Sequence, residues 1–140
     1  MSTRNLFTCL FTFLPAGALC LVLAAAKPSL AAPAAPAGAE RVLVKMIEAV
    51  KAQSYEDFLT DADPQLKSQF SRQQFEGMCG LYTAPLRKGY RLEYLGQLRQ
   101  RGAFVYLWKI TVVDGQDEAL LRLVMKDGKA SGFGVHEGRA

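Results

Sequence analysis

The first half of the chain repeats hydrophobic residues at the spacing of an α-helix. One apolar stripe predicts a helix at about Glu40–Ala52; its members are Val42, Leu43, Met46, Ile47 and Val50. A short second helix is expected after Ser54, whose side chain can cap its first turn. Asp63-Pro64 is a cap followed by a first-turn proline, and it predicts a further turn or two of helix.

A third helix is predicted from a capping box. Ser71 and Gln74 have the spacing in which each side chain binds the other's backbone N–H group. The apolar positions that follow are Phe75, Met78, Cys79, Tyr82 and Leu86. Pro85 cannot donate a backbone hydrogen bond, so we expect the helix to end there.

The second half of the chain is rich in aromatic and branched residues, which is typical of β-strands. Four strands are predicted, at Tyr90–Arg99, Ala103–Val113, Gln116–Lys126 and Lys129–His136. Asp114-Gly115 and Asp127-Gly128 have the composition of two-residue hairpin turns. The sequence therefore predicts an α+β fold, with N-terminal helices packed on one face of a four-stranded antiparallel meander.

Hairpin turns also fix which residues face each other across the sheet. The Asp114-Gly115 turn places Trp108 opposite Leu121. For the first hairpin we favour a three-residue loop, Gln100–Gly102, because a two-residue loop would turn charged residues such as Glu93 toward the core. The predicted rows across the inner face are Tyr94–Trp108–Leu121–Gly134 and Gly96–Tyr106–Leu123–Gly132.

These registers predict a candidate site on each face of the sheet. The inner face is either a filled core or a small apolar ligand pocket, with the candidates Tyr94, Tyr106, Trp108, Gly132, Gly134 and His136. The outer face is less polar than a solvated face should be. Its interface candidates are Leu95, Val105, Leu107, Leu120, Arg122, Val124, Phe133 and Val135. Such a patch usually meets a partner, here a second copy or another envelope protein.

The N-terminus has the features of a secretory signal. Arg4 precedes an apolar run at 6–26, and small residues at Ser29 and Ala31 predict cleavage after Ala31. An uncleaved membrane anchor is the alternative, because the run is long enough to span a bilayer. We expect a signal peptide at 1–31, a Pro/Ala spacer at 32–39, a single domain at 40–137 and a periplasmic or secreted location.

Charge and cysteine content narrow the function further. Loss of Arg4 and Lys27 with the signal leaves 15 basic and 13 acidic residues, which gives no reason to expect a nucleic-acid partner. One cysteine and one histidine then remain, too few for a disulfide or for a zinc or iron site, and no cofactor is expected. A Cys79–His136 nucleophile pair is disfavoured, since Cys79 lies on an apolar helix stripe.

Four short motifs combine helix caps, turns and core positions. They are Tyr55-Glu56-Asp57-Phe58, Asp63-Pro64-Gln65-Leu66-Lys67, Ser71-Arg72-Gln73-Gln74-Phe75, and the ending Lys126-Asp127-Gly128-Lys129 with Gly132-Phe133. This combination, over about Val42 to Val135, resembles the small secreted bacterial domains of the NTF2-like (cystatin-like) superfamily. That superfamily hosts isomerases, dehydratases, transport factors and binding modules, so the resemblance implies a fold and no single activity.

Candidate catalytic groups are few. Isomerases of that superfamily use an inward carboxylate together with a tyrosine or a protonated acid, whereas the inward strand positions here carry Tyr94 and Tyr106 without an Asp or Glu. Asp61 or Glu76 could reach in from a helix, which keeps an isomerase- or dehydratase-type enzyme as the alternative. We assign no catalytic residue, and we expect a non-catalytic domain that binds a partner or a small apolar ligand.

Overall fold

Helices and strands are separated along the chain. The computed structural model describes residues 33–113 and 118–137. The helices are α1 at Ala37–Ala52, α2 at Tyr55–Phe58, α3 at Pro64–Gln69 and α4 at Arg72–Lys88. The strands are β1 at Tyr90–Gln100, β2 at Ala103–Val112, β3 at Glu118–Lys126 and β4 at Lys129–Glu137. They pair antiparallel in the order β1-β2-β3-β4, which confirms the expected α+β meander. The predicted signal peptide and the Asp114-Gly115 turn lie outside the described residues.

The predicted caps hold the starts of the helices. Asp63 accepts a hydrogen bond from the Leu66 N–H at 2.7 Å, and Ser71 and Gln74 form the reciprocal capping box. Each such cap contributes about 1 kcal/mol. Helix α1 begins directly after Pro36, three residues earlier than expected and within the predicted spacer.

The prediction that Pro85 ends the last helix is wrong. Helix α4 continues for three more residues, although a proline inside a helix removes one backbone hydrogen bond. Contacts with α1 hold this final turn in place. Thr83 Oγ1 donates to the Val50 carbonyl at 2.9 Å, and the Arg87 guanidinium donates twice to the Lys51 carbonyl, at 2.9 and 2.7 Å. The end of α4 is therefore fixed by tertiary contacts that local propensity does not report.

The two central strands have the predicted register. Trp108 pairs with Leu121, and each neighbouring pair of β2 and β3 follows in step. The inward side chains of these strands meet the apolar stripe of α1. Trp108 is 1% exposed, and Leu123, Leu43 and Met46 are equally buried in the same core. The helices thus cover the inner face of the sheet, as the alternation of the strands indicates.

The loop predicted for the first hairpin is wrong. The turn consists of two residues, Arg101 and Gly102, with φ angles of 51° and 78°. Two successive positive φ angles are typical of a type I′ turn, which matches the twist of the flanking strands. With a regular strand, a two-residue loop would turn Glu93 toward the core, and β1 avoids that burial by an irregularity between Tyr94 and Gly96.

Strand β1 contains a β-bulge that resets its register. Tyr94 pairs with Trp108, whereas the next pair along is Gly96 with Leu107, so Leu95 is an additional residue. The bulge returns Tyr94 to the inner face in spite of the shorter loop. The predicted pairing of Gly96 with Tyr106 is therefore wrong, while the predicted pairs on the other side of the bulge are confirmed.

A second bulge, on β4, reverses the predicted faces of that strand. Met125 pairs with Ala130 and Val124 pairs with Gly132, which leaves Ser131 as the additional residue. Every later side chain of β4 therefore points to the face opposite the predicted one. Phe133 and Val135 pair with the core residues Leu123 and Leu121, whereas Gly132, Gly134 and His136 lie on the outer face.

Candidate binding surfaces on the two faces of the sheet

The inner face carries a row of aromatic side chains that crosses β1 and β2. Ring centroids are 5.4 Å apart between Tyr94 and Trp108, and 6.0 Å apart between Tyr106 and Trp108. Phe104 extends the row toward the end of the sheet, 6.1 Å from Tyr106. Trp108 is buried and both tyrosines are half-buried, so this row is chiefly core with its polar ends near the surface.

The two inner tyrosines lack the carboxylate partner of an isomerase. Within residues 33–113 and 118–137, neither Tyr94 nor Tyr106 hydrogen-bonds to an acid, and Asp61 instead pairs with Lys45 at 2.9 Å. Burial raises the pKa of the Tyr94 hydroxyl, with a smaller effect from Tyr106. A neutral phenol can donate a hydrogen bond, but this arrangement supplies no base to accept a proton.

The predicted far wall of an inner pocket is not on the inner face. Gly132, Gly134 and His136 were expected to leave bare backbone beside the aromatic row, but the β4 bulge turns them outward. Phe133 takes that space, and its ring meets Phe58 of α2 edge-on at 5.5 Å between centroids. On this side of the sheet the inner face is therefore a filled core, one of the two alternatives that the sequence left open.

The outer face keeps its predicted apolar character with a changed membership. Six of the eight predicted interface residues lie there: the apolar Leu95, Val105, Leu107, Leu120 and Val124, together with Arg122. Leu98, which the predicted register placed inward, joins them and is 59% exposed. Gly132 also belongs to this face, and Val124 Cγ2 would be 3.3 Å from a Cβ at that position. The β4 side of the face is thus low and flat, while leucines project on the β1 side.

One cation lies within this apolar face. Arg122 is exposed, its pairing residue on β4 is Gly134, and it makes no ion pair with any residue in the described part of the chain. The acids of the face belong to another cation. Lys109 Nζ lies 2.7 Å from Glu93 and 3.2 Å from Glu118, and these hydrogen bonds raise the pKa of Lys109.

A shallow depression lies beside this charged group. It has a volume of about 400 Å³, is open to solvent, and is lined by Leu95, Lys109, Glu118, Ala119, Leu120, His136 and Glu137. Its apolar floor and mixed rim charges suit a protruding side chain of a protein partner better than an enclosed small molecule. His136 is therefore part of the outer surface.

Cys79 and His136 do not form a reactive pair. Cys79 is buried between α4 and α1, where its thiol faces the Val50 carbonyl at 3.8 Å. Burial raises the pKa of the Cys79 thiol, and a hydrogen bond with Thr83 lowers it by less. The net effect disfavours the reactive thiolate. His136 lies on the other face of the sheet, so the sheet itself separates the two side chains.

Comparisons with known proteins concern the fold alone. No family model matches the chain, and no curated protein matches it. One similar solved structure is a protein assigned as a ketosteroid isomerase from Kribbella flavida, with 14% identity, a TM-score of 0.41, and coverage of 74% of this chain and 79% of that one. A second is an NTF2-like protein of unknown function from Cytophaga hutchinsonii, with 6% identity, a TM-score of 0.39, and coverage of 71% and 89%. A third is TerC co-crystallised with polyporic acid, with 13% identity, a TM-score of 0.39, and coverage of 72% and 92%. The structure itself shows the α+β fold with a four-stranded antiparallel meander, and the NTF2-like resemblance of the motifs stays a prediction.

The described residues contain no group of three or more His, Cys, Asp and Glu side chains that could hold a metal ion. No helix in the same part of the chain is long and apolar enough to cross a membrane.

Proposed function

We propose that this domain is a non-catalytic binding module of the periplasm or the secreted space, and that it pairs with a second copy of itself through the outer face of the sheet. The observation that carries the proposal is the apolar face that the helices leave uncovered: Leu95 and Leu98 are 47% and 59% exposed, Leu107, Leu120 and Val124 are half-buried, and Val105 is buried. A soluble monomer rarely exposes a continuous apolar patch of this kind.

The dimensions of the face suit a dimer. Four strands about 4.8 Å apart and roughly nine residues long give a surface of roughly 19 by 30 Å. With the relief of its side chains, this approaches the ~800 Å² per partner of an ordinary stable interface. Gly132 on β4 lowers one side of the face, and the leucines of β1 raise the other, so two copies can interdigitate.

The charges of the face also favour a second copy. A two-fold axis that crosses the strands at Leu120 places Leu120 of one copy against Leu120 of the other. Glu118 precedes Leu120 by two residues and Arg122 follows it by two, and all three point to the outer face. The same axis therefore places Arg122 of one copy against Glu118 of its partner. Arg122 would then share the Glu118 carboxylate with Lys109 of the partner, whose ammonium lies 3.2 Å from that acid within its own chain.

Sedimentation of the chain from residue 32 onward is the test. We expect a dimer in the unchanged protein and a monomer in Leu107→Asp, since a carboxylate on this face would be buried unpaired. Leu81→Asp is the matched control, because Leu81 is a leucine 69% exposed on α4, away from the sheet. It should leave the dimer unchanged. A monomer at high concentration, or equal effects of both variants, contradicts the proposal.

A charge exchange tests the orientation of the two copies. Arg122→Glu should weaken the dimer by about tenfold, since it places two acids against each other. Addition of Glu118→Arg to that variant should restore most of the affinity. If the double variant is as weak as the single one, the proposed axis is wrong even where the dimer exists.

Location is a separate part of the proposal. It is supported by the basic start, apolar run and small residues at 29 and 31 of the N-terminal segment. Determination of the N-terminus of protein recovered from the native envelope or medium is the test. We expect a chain that begins at Ala32, and recovery of the full chain only in the cytoplasm contradicts this part alone.

A further inference from the structure

One row of paired residues crosses the outer face of the sheet from edge to edge. The residues that pair in succession from β1 to β4 are Glu93, Lys109, Leu120 and His136. Because paired residues lie side by side at right angles to the strands, a two-fold axis that crosses the strands at Leu120 runs along this row. Residues on such an axis face their own copies. In the proposed dimer, His136 of one chain therefore faces His136 of the other.

The imidazole of His136 lies on the surface that the second copy would cover. It is exposed in the single chain, and it lines the shallow depression together with Leu120 and Lys109. Its Nε2 atom would be 3.5 Å from a Cβ at Gly134, so the ring leans along β4 over that glycine. Gly134 pairs with Arg122 of β3. The ring is thus directed toward the strand position of a cation.

The nearest acids on β1 and β3 already contact Lys109. Its ammonium lies 2.7 Å from Glu93 and 3.2 Å from Glu118. Lys109 also faces its own copy across the axis, but these two carboxylates offset its charge. In the dimer, Glu118 would be shared with Arg122 of the partner as well. Both acids are thus engaged before any charge on His136 is considered.

The acid that follows His136 on β4 is bound elsewhere. Glu137 lines the same depression, and its carboxylate accepts a hydrogen bond from the Tyr82 hydroxyl of α4 at 2.9 Å. Within residues 33–113 and 118–137, His136 itself makes no ion pair. Protons on both imidazoles would therefore place two cations against each other, close to Arg122. Like charges that meet across an interface oppose association.

We infer that His136 makes the dimer of this domain sensitive to pH: two copies associate while the imidazole is neutral and separate when it is protonated. The inference rests on the proposed sheet-face dimer and its axis. Histidine ordinarily gains its proton between roughly pH 8 and pH 5, and this chain has one histidine. At about pH 5.5 an ordinary imidazole is roughly ten times more often charged than neutral. Two such groups weaken the dimer by up to roughly 100-fold.

The test is sedimentation of the chain from residue 32 onward at about pH 7.5 and about pH 5.5, at equal ionic strength. That chain retains the whole buried core, whose members lie within residues 39–130. We expect the dissociation constant of the dimer to rise at least about tenfold at the lower pH. A dimer that is equally tight at both pH values overturns this inference and leaves the dimer itself in place. A monomer at the higher pH contradicts the dimer, and the inference with it.

Two substitutions at residue 136 separate the imidazole from the other titrating groups. His136→Gln keeps a polar side chain that cannot gain a proton, so its dissociation constants at the two pH values should agree within about threefold. His136→Lys carries a permanent charge and should weaken the dimer at least about tenfold even at the higher pH. A pH dependence that persists in His136→Gln, or a His136→Lys dimer as tight as the unchanged one, would show that the imidazole charge does not control association.

Discussion

Replacement of Gly96 by alanine tests the bulge that sets the register of β1. Gly96 has a φ angle of 146°, a conformation that side-chain-bearing residues rarely adopt. A Cβ at this position would meet no atom within 4 Å. The cost of Gly96→Ala is therefore confined to backbone strain. We expect the free energy of unfolding to fall by about 2 kcal/mol.

Gly80→Ala is the matched control for this substitution. Gly80 lies inside α4, and a Cβ there also meets no atom within 4 Å. Alanine is a better helix former than glycine by about 1 kcal/mol. The same chemical change should therefore stabilise the protein at residue 80 and destabilise it at residue 96.

Equilibrium unfolding in urea measures both variants. The slope of the free energy with urea concentration should stay constant, so that the two midpoints move in opposite directions. If Gly96→Ala loses less than about 0.5 kcal/mol, residue 96 does not have a positive φ angle. The bulge would then be absent, and the longer first loop would again be the better interpretation.

Two other predictions follow from burial. Phe133→Ala should lower the free energy of unfolding by about 2 kcal/mol, because the ring packs on Phe58 inside the core; a loss below about 0.5 kcal/mol would indicate an outward side chain. Burial chiefly raises the pKa of three tyrosines, Tyr82, Tyr90 and Tyr94, above the ordinary value of 10.0. The fold thus favours the neutral phenols, and stability should fall above pH 10 as these tyrosines ionise in the unfolded chain. Urea unfolding at alkaline pH measures this, and stability that rises above pH 10 would contradict it.

The order of the elements could be predicted from sequence because it depends on local patterns. A stripe such as Val42, Leu43, Met46 and Ile47 shares one face of a helix but would alternate between both faces of a strand. Capping side chains mark the starts of α2, α3 and α4, whereas α1 begins without one. The register of β2 with β3 was also accessible, since the strands alternate without interruption between Phe104 and Ile110. One buried face then allows a single pairing.

The faces of β1 and β4 could not be predicted in the same way. A single additional residue, Leu95 on β1 or Ser131 on β4, reverses every later side chain of its strand. Counting from a turn assumes that no such residue exists. Gly96 was the one local sign of a bulge on β1, since a glycine within a strand often marks one.

Tertiary packing decided both cases. The space beside Phe58 accepts the ring of Phe133, whereas the predicted register would have left glycine there and turned the aromatic ring toward water. Burial of a ring outweighs the loss of one regular pairing step. The same reason moved His136 to the outer surface and decided for a filled core over a pocket on this side of the sheet. Sequence thus determined which elements form and which central residues are buried, and the fit of side chains between helices and sheet determined which surface is left for a partner.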